Sequence, residues 1–235
     1  MTPTVPVPEL PLRCAAHLRL CFDEHATASD LLALMRDDPE LARRFLRIAS
    51  AECFGPGRIE NLPRAIVRTG FPFARKWLAL SSLGSVLADW TGRSLGADPY
   101  WRSALCRAMA ADALEDFFSP RSSAEAGLVA FLWDCGGLVT GQDADRAVIL
   151  AQSARMLRAW GLPERAWGVL ESASRVEPGP DSPLLARVCH VADIFAAVCF
   201  GDQGDIHDFL ATAGAFFDAP LDTVEDVFIG SLDLL

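Results

Sequence analysis

The sequence predicts an all-α protein, a compact multi-helix bundle arranged in two helical lobes. Three observations predict it. Apolar residues recur at helical spacing in almost every segment, and Gly or Pro residues stand where one such segment gives way to the next. No alternating β-branched runs separated by hairpin turns occur, so a sheet is not expected. With 51% hydrophobic residues the chain can bury the core that such a bundle needs.

Each segment can be justified in order. "TASDLLALMRDD" opens on capping residues, Thr27 or Ser29, and its apolar positions fall at Leu31, Leu32, Leu34 and Met35. "DPELARRFLRIASAECF" places Pro39 in a first turn and aligns Leu41, Phe45, Ile48 and Ala49 along one face. In "GPGRIENLP", Gly55, Pro56 and Gly57 break the helix and make a compact turn region. A short helix over about 62–69 follows, then a longer one in "FPFARKWLALSSLGSVLADW". After "GADP" come "YWRSALCRAMAADALEDFF", "SSAEAGLVAFLWDCGG", "DADRAVILAQSARMLRAWG", "LPERAWGVLESASR", "SPLLARVCHVADIFAAVCFG" and two short acidic helices. Around eleven helices are expected in 235 residues. The stretch "TGRSLGAD", near 91–98, could divide two lobes, yet nothing in it resembles a flexible linker. One domain over 1–235 is therefore expected, with an N-terminal lobe of about 8–91, a second lobe of about 98–200 and an acidic helical extension over 201–235.

Composition narrows the compartment and the partners. No apolar run reaches the roughly 18–20 residues needed to cross a bilayer. "MTPTVPVPELPLR" lacks the basic region and apolar core of a secretory signal, so a cytoplasmic protein is the expectation. Seven cysteines (Cys14, Cys21, Cys53, Cys106, Cys135, Cys189, Cys199) are scattered, with no C-x-x-C pair, and read as small buried hydrophobes. A net charge of −10 argues against a general nucleic-acid binder, since phosphate contacts need a cationic surface. The charge is uneven, however. Residues 41–76 carry eight basic side chains (Arg43, Arg44, Arg47, Arg58, Arg64, Arg68, Arg75, Lys76), whereas 201–235 carries eight acids and no Lys or Arg. The basic stretch could be a docking surface for an acidic partner or an anion, with Arg43, Arg44, Arg47 and Arg58 its candidate residues. Alternatively, the two oppositely charged segments face each other or simply sit in water.

The order of segments resembles the HDOD family, the HD-related output domain of bacterial signalling proteins, over about residues 8–200. The residues that carry the resemblance are Asp38-Pro39-Glu40-Leu41, Leu46-Arg47-Ile48-Ala49-Ser50, Phe54-Gly55, Ile59-Glu60-Asn61-Leu62 with Ala65-Ile66, and Gly70-Phe71. The resemblance implies an HD-domain-like helical fold. It also implies the place of a metal site, because the wider HD superfamily is named for a His-Asp pair. That pair, with an early His and a late Asp, holds a divalent ion that activates water against phosphate esters. "FLWDCGGLVTG" falls where the pair belongs: Trp133 replaces the His, Asp134 remains, and Gly137 stands for a Lys. Ser103 occupies the position of the early His, and Asp193 that of the late Asp.

The chemistry of those replacements points to a vestigial site. Indole has a donor but no lone pair for a metal, and a Ser hydroxyl is a poor neutral ligand. No metal and no other cofactor are expected; if a hard ion is held at all, its ligands are Asp134, Asp193 and His190, three residues before Asp193. Otherwise the carboxylates accept backbone N–H groups or pair with Arg102, Arg107 or Arg187, and Trp133 fills the vacated volume.

The expected function is a non-catalytic signal-transduction module that binds a protein partner, with no membrane insertion and no nucleic acid. Two alternatives stand beside it. One is a divergent metal-dependent phosphohydrolase using Asp134, Asp193 and His190. The other is a sensor holding a small ligand in the cleft lined by Ser103, Trp133, Asp134 and Asp193.

Overall fold

The structure, a computed structural model, describes residues 6–91, 99–119, 125–141, 143–200, 206–220, 223, 226 and 227. Residues 92–98 of the expected lobe divider near 91–98, and residues 201–205, 221, 222, 224, 225 and 228–235 of the acidic stretch, lie outside the described residues. The described residues are helical, with no strand among them, as the periodicity predicts. They form two compact units, one spanning Glu9–Gly92 and the other combining Met1–Pro8 with Arg93–Leu235.

The Glu9–Gly92 unit contains α1 (Leu12–Phe22), α2 (Ala28–Arg36), α3 (Pro39–Ala49), α4 (Leu62–Thr69) and α5 (Phe71–Thr91). Local chemistry sets their ends. Thr27 and Asp30 make a reciprocal capping box at the start of α2. Asp38 accepts from the Leu41 amide at 3.1 Å ahead of Pro39, and Asn61 accepts from the Arg64 amide at 3.0 Å. Gly70, at φ 85°, lets the chain leave α4 and enter α5 at once. Leu31, Met35, Leu41, Phe45, Ile66 and Leu78 share one core, and the Phe45 ring lies 5.2 Å from that of Trp77. Burying each such side chain contributes about 1.5–3 kcal/mol.

The larger unit contains α6 (Pro99–Phe118), α7 (Ala126–Phe131), α8 (Gly137–Thr140), α9 (Arg146–Ala159), α10 (Glu164–Arg175), α11 (Leu184–Phe200) and α12 (Ile206–Phe217). α6 packs on α7 and α11, and α9 pairs with α10. Trp101, Leu114, Leu128 and Phe195 are fully buried between them. A two-pronged ion pair from Arg165 to Glu125, at 2.8 and 2.9 Å, fastens the start of α7 to α10.

Two expectations need correction. "GLVAFLWDCGG" is not one helix: α7 stops at Phe131, and Trp133 and Asp134 sit in successive turns before α8. Five cysteines are buried, but Cys53 and Cys199 are exposed. Cys53 lies in a three-residue 3₁₀ turn, which has no inward face, and Cys199 lies one residue from the end of α11.

His17 of α1 is fully buried, and neither ring nitrogen has a hydrogen-bond partner among the described residues. Burial lowers its pKa below the ordinary 6.5; Asp38 opposes that shift and Arg13 adds to it. Below pH 6.5 the unfolded chain therefore binds a proton that the folded chain resists, and stability rises with pH across that window. The stabilising contribution is complete above 6.5 and is lost as the pH falls toward the folded value. Melting curves between about pH 7.5 and about pH 5 should show a falling Tm that His17→Leu flattens. An equal slope in the variant would show that His17 carries none of it.

Candidate functional site

The turn that carries Asp134 is held by a close approach of backbones. The Gly136 amide donates to Ser153 Oγ at 2.8 Å. A Cβ on Gly136 would lie 2.3 Å from the Ile149 carbonyl oxygen and 2.7 Å from the Ser153 nitrogen. Gly136 therefore does more than end a helix: only glycine lets α9 pack against the turn. Gly136→Ala should lower stability by about 1–3 kcal/mol in urea unfolding. Gly179→Ala, where a Cβ meets open space, should change it by less than about 0.5 kcal/mol.

The same packing brings the two surviving carboxylates to one buried cation. Arg107 lies one turn after Ser103 on α6, and its side chain is only 3% exposed. Its Nη2 donates to Asp134 Oδ1, and its Nη1 donates to Asp193 Oδ1 at 3.2 Å. Nη1 also reaches Ser103 Oγ at 3.4 Å, and Nε donates to the Ala130 carbonyl of α7 at 3.2 Å. Arg146, the first residue of α9, donates to the other oxygen of Asp193. Burial pushes the Arg107 pKa down, but Asp134 and Asp193 outweigh it and leave the guanidinium raised above its ordinary value. Burial likewise raises Asp134, against the pull of Arg107. Tyr100 beside it is raised well above the ordinary phenol range, first by burial and then by the Asp134 charge.

The donor set does not fit the metal that the HD superfamily would place here. Asp134 and Asp193 already bind two guanidinium groups, and the four charges sum to zero. Ser103 receives a hydrogen bond from the same cation, and Trp133 offers no lone pair. Among the described residues no three His, Cys, Asp or Glu side chains converge on a point. A divalent ion would have to displace Arg107 from both carboxylates.

Other sequence expectations at this site fare differently. Of the three arginines weighed as partners, Arg107 is the one that pairs. Arg102 stacks over Phe200 at 5.1 Å, and Arg187 donates to the Phe216 carbonyl at 2.7 Å. His190 is not a third ligand: its Nε2 lies 3.6 Å from Glu177 Oε1 and its ring 5.3 Å from Phe216. Burial lowers its pKa, so it is held toward the neutral form, while Glu177 and Asp193 oppose that shift. Arg107 bridges the two carboxylates. Trp133 is fully buried, its indole nitrogen has no partner among the described residues, and it lines a cleft of about 270 Å³ with Arg146, Leu150, Arg175, Glu177 and His190. Cys135 is no nucleophile, because burial pushes its thiol up to about 12. Sequence reasoning missed Arg146 and Tyr100; a lone Arg opening a helix and a lone Tyr carry no spacing signal.

In the Glu9–Gly92 unit, Arg43, Arg44, Arg47 and Arg58 all line one pocket of about 700 Å³. Two other basic residues of the same stretch are engaged within the fold. Arg75 is buried over Phe71, and Arg68 is spent on the carbonyls of Gly55, Pro56 and Gly57.

Comparison with known proteins places this arrangement. No curated protein matches the chain. Its fold is similar to that of an HDOD domain protein of unknown function from Geobacter sulfurreducens, at a TM-score of 0.71 and 12% identity over 97% of this chain and 90% of that one. It is also similar to a Shewanella amazonensis SB2B protein given a provisional phosphohydrolase name, at 0.65 and 17% over 94% and 90%. A second protein of that organism, provisionally named a metal-dependent phosphohydrolase, gives 0.64 and 14% over 97% and 90%. At these identities the likeness shows the fold alone. The HDOD domain itself matches residues 7–152, well over half of the sequence and including Ser103, Arg107, Trp133 and Asp134 but not Asp193. The chain belongs to the HDOD family.

Proposed function

We propose that this chain is a non-catalytic regulatory module of a bacterial signalling pathway, working by binding a protein partner rather than by turnover. The observation that carries the reading is Arg107, whose guanidinium joins Asp134 to Asp193 where the superfamily's metal would sit. An internal cation there supplies charge balance but neither a Lewis acid nor an activated water. The buried Cys135 thiol and Tyr100 phenol, both raised by burial, supply no neutral-pH nucleophile in its place. The cleft beside Trp133 supports a second reading, a small-ligand sensor, because its wall includes Arg146 of the same charge network.

Metal content tests the main reading. After incubation with Mn²⁺, Mg²⁺, Fe²⁺ or Zn²⁺ and desalting, the protein should retain far less than one equivalent, and EDTA should leave its Tm unchanged. Stoichiometric metal together with phosphodiesterase activity that Asp134→Ala abolishes would establish the divergent phosphohydrolase instead. Arg107→Ala should lower stability by about 3–5 kcal/mol in denaturant unfolding, since it removes the cation that Asp134 pairs with and leaves Asp193 with Arg146 alone. A neutral result would mean that the carboxylates do not depend on Arg107.

A further inference from the structure

The pocket of the Glu9–Gly92 unit is assembled from two stretches of chain with opposite duties. On α3 the positions Leu41, Phe45 and Ala49 face the core, which leaves Arg43, Arg44 and Arg47 on the outer side. The chain then turns back through Gly55 and Gly57, at φ 111° and 86°, conformations that favour glycine. Arg68 of α4 ties this return in place, donating to the carbonyls of Gly57 at 2.6 Å, Pro56 at 3.0 Å and Gly55 at 3.4 Å. Ser50 closes it: its hydroxyl donates to the Leu46 carbonyl at 2.7 Å and accepts from the Ile59 amide at 2.9 Å. Arg58 thereby lines the same pocket as the α3 arginines, with the apolar Leu46 and Ile59 also in the lining. The site is preorganised by hydrogen bonds that a ligand need not supply.

The four arginines are not equivalent. Glu40 engages Arg43 at 2.6 Å and Arg44 at 3.3 Å. Arg47 and Arg58 are exposed and have no carboxylate partner among the described residues. Four arginines against Glu40 and Glu60 leave the lining at +2 in a chain whose net charge is −10. An occupant must therefore bring about two negative charges in reach of Arg47 and Arg58. No aromatic ring lines the pocket, so a nucleobase would find only guanidinium planes to stack on. Its apolar lining and planar guanidinium forks instead suit an aliphatic side chain flanked by carboxylates.

From this we infer that the pocket captures an acidic peptide segment of a protein partner, with its carboxylates on Arg47 and Arg58 and an apolar side chain on Leu46 and Ile59. The inference rests on the reading of the chain as a partner-binding module and names the chemistry of the partner.

Fluorescence anisotropy with the full chain tests it. The probe is a labelled synthetic peptide in which Leu is flanked by Glu and Asp; the control replaces every acid by Gln or Asn. Saturable binding of the acidic peptide is expected, weakened roughly tenfold or more in the control and in an Arg47→Glu, Arg58→Glu variant whose Tm is unchanged. Arg43→Ala with Arg44→Ala should weaken it less, and Leu→Ser in the peptide should cost several-fold. The inference is overturned if wild-type protein does not bind the peptide up to about 1 mM, or if the double reversal leaves binding intact. It is also overturned if tripolyphosphate binds while the peptide does not, which would mark a small-anion site. Stoichiometric metal with phosphodiesterase activity would reject the non-catalytic reading and leave this binding result standing, so the two failures are separable.

Discussion

The interior of the larger unit is organised around a cation that water cannot reach. Removing a guanidinium from water costs several kcal/mol unless fixed partners replace its hydration. Arg107 finds those partners in Ser103 on its own helix, a carbonyl of α7, Asp134 in the turn that follows and Asp193 on α11. Arg146 extends the network to α9. Each carboxylate is thus bound to a different part of the chain through the same cation. A lysine could not do this, since its ammonium lacks the planar fork that reaches three directions at once.

That arrangement also bears on the unit's chemistry. HD-type hydrolysis depends on an ion with open coordination positions, and Arg107 offers donors that are already directed at protein acceptors. Gly136 contributes to the same end by letting α9 approach the Asp134 turn closely enough for Arg146 to meet Asp193. The aromatic that replaces the superfamily's imidazole plays another part: Trp133 is core on one side and cleft wall on the other. Membership of a fold family does not by itself fix the chemistry of a site that is only a few side chains on a stable scaffold.

The Glu9–Gly92 unit shows that a basic stretch of sequence is not a basic surface. Arg75 is buried, Arg68 serves as a brace for the Gly55–Gly57 turn, and Arg43 and Arg44 are paired with Glu40. Of the four arginines that line the pocket, Arg47 and Arg58 are the two without a carboxylate partner among the described residues, eleven positions apart in the sequence and on the same pocket in space. The brace makes this possible, because a flexible turn would lose in ordering entropy much of what Arg58 could contribute to binding.

The helices were legible because their signals are local. The Thr27–Asp30 capping box, Pro39 after Asp38 and Gly70 after Thr69 each act within one turn of chain, so α2, α3 and α4 begin or end where the sequence predicts. Family membership was legible too, since it depends on residue identity at ordered positions. By itself the sequence determined the helical class, the family and the poverty of metal ligands at Ser103 and Trp133. Only the tertiary structure decided what replaced them. Arg102, Arg107 and Arg187 are equal candidates by charge, and choosing among them takes contacts 27 and 86 positions apart. The stop of α7 at Phe131, the approach of α9 to Gly136 and the pairing of Arg146 with Asp193 arise in the same way. They follow from distant helices competing for one buried volume, and no local periodicity records that competition.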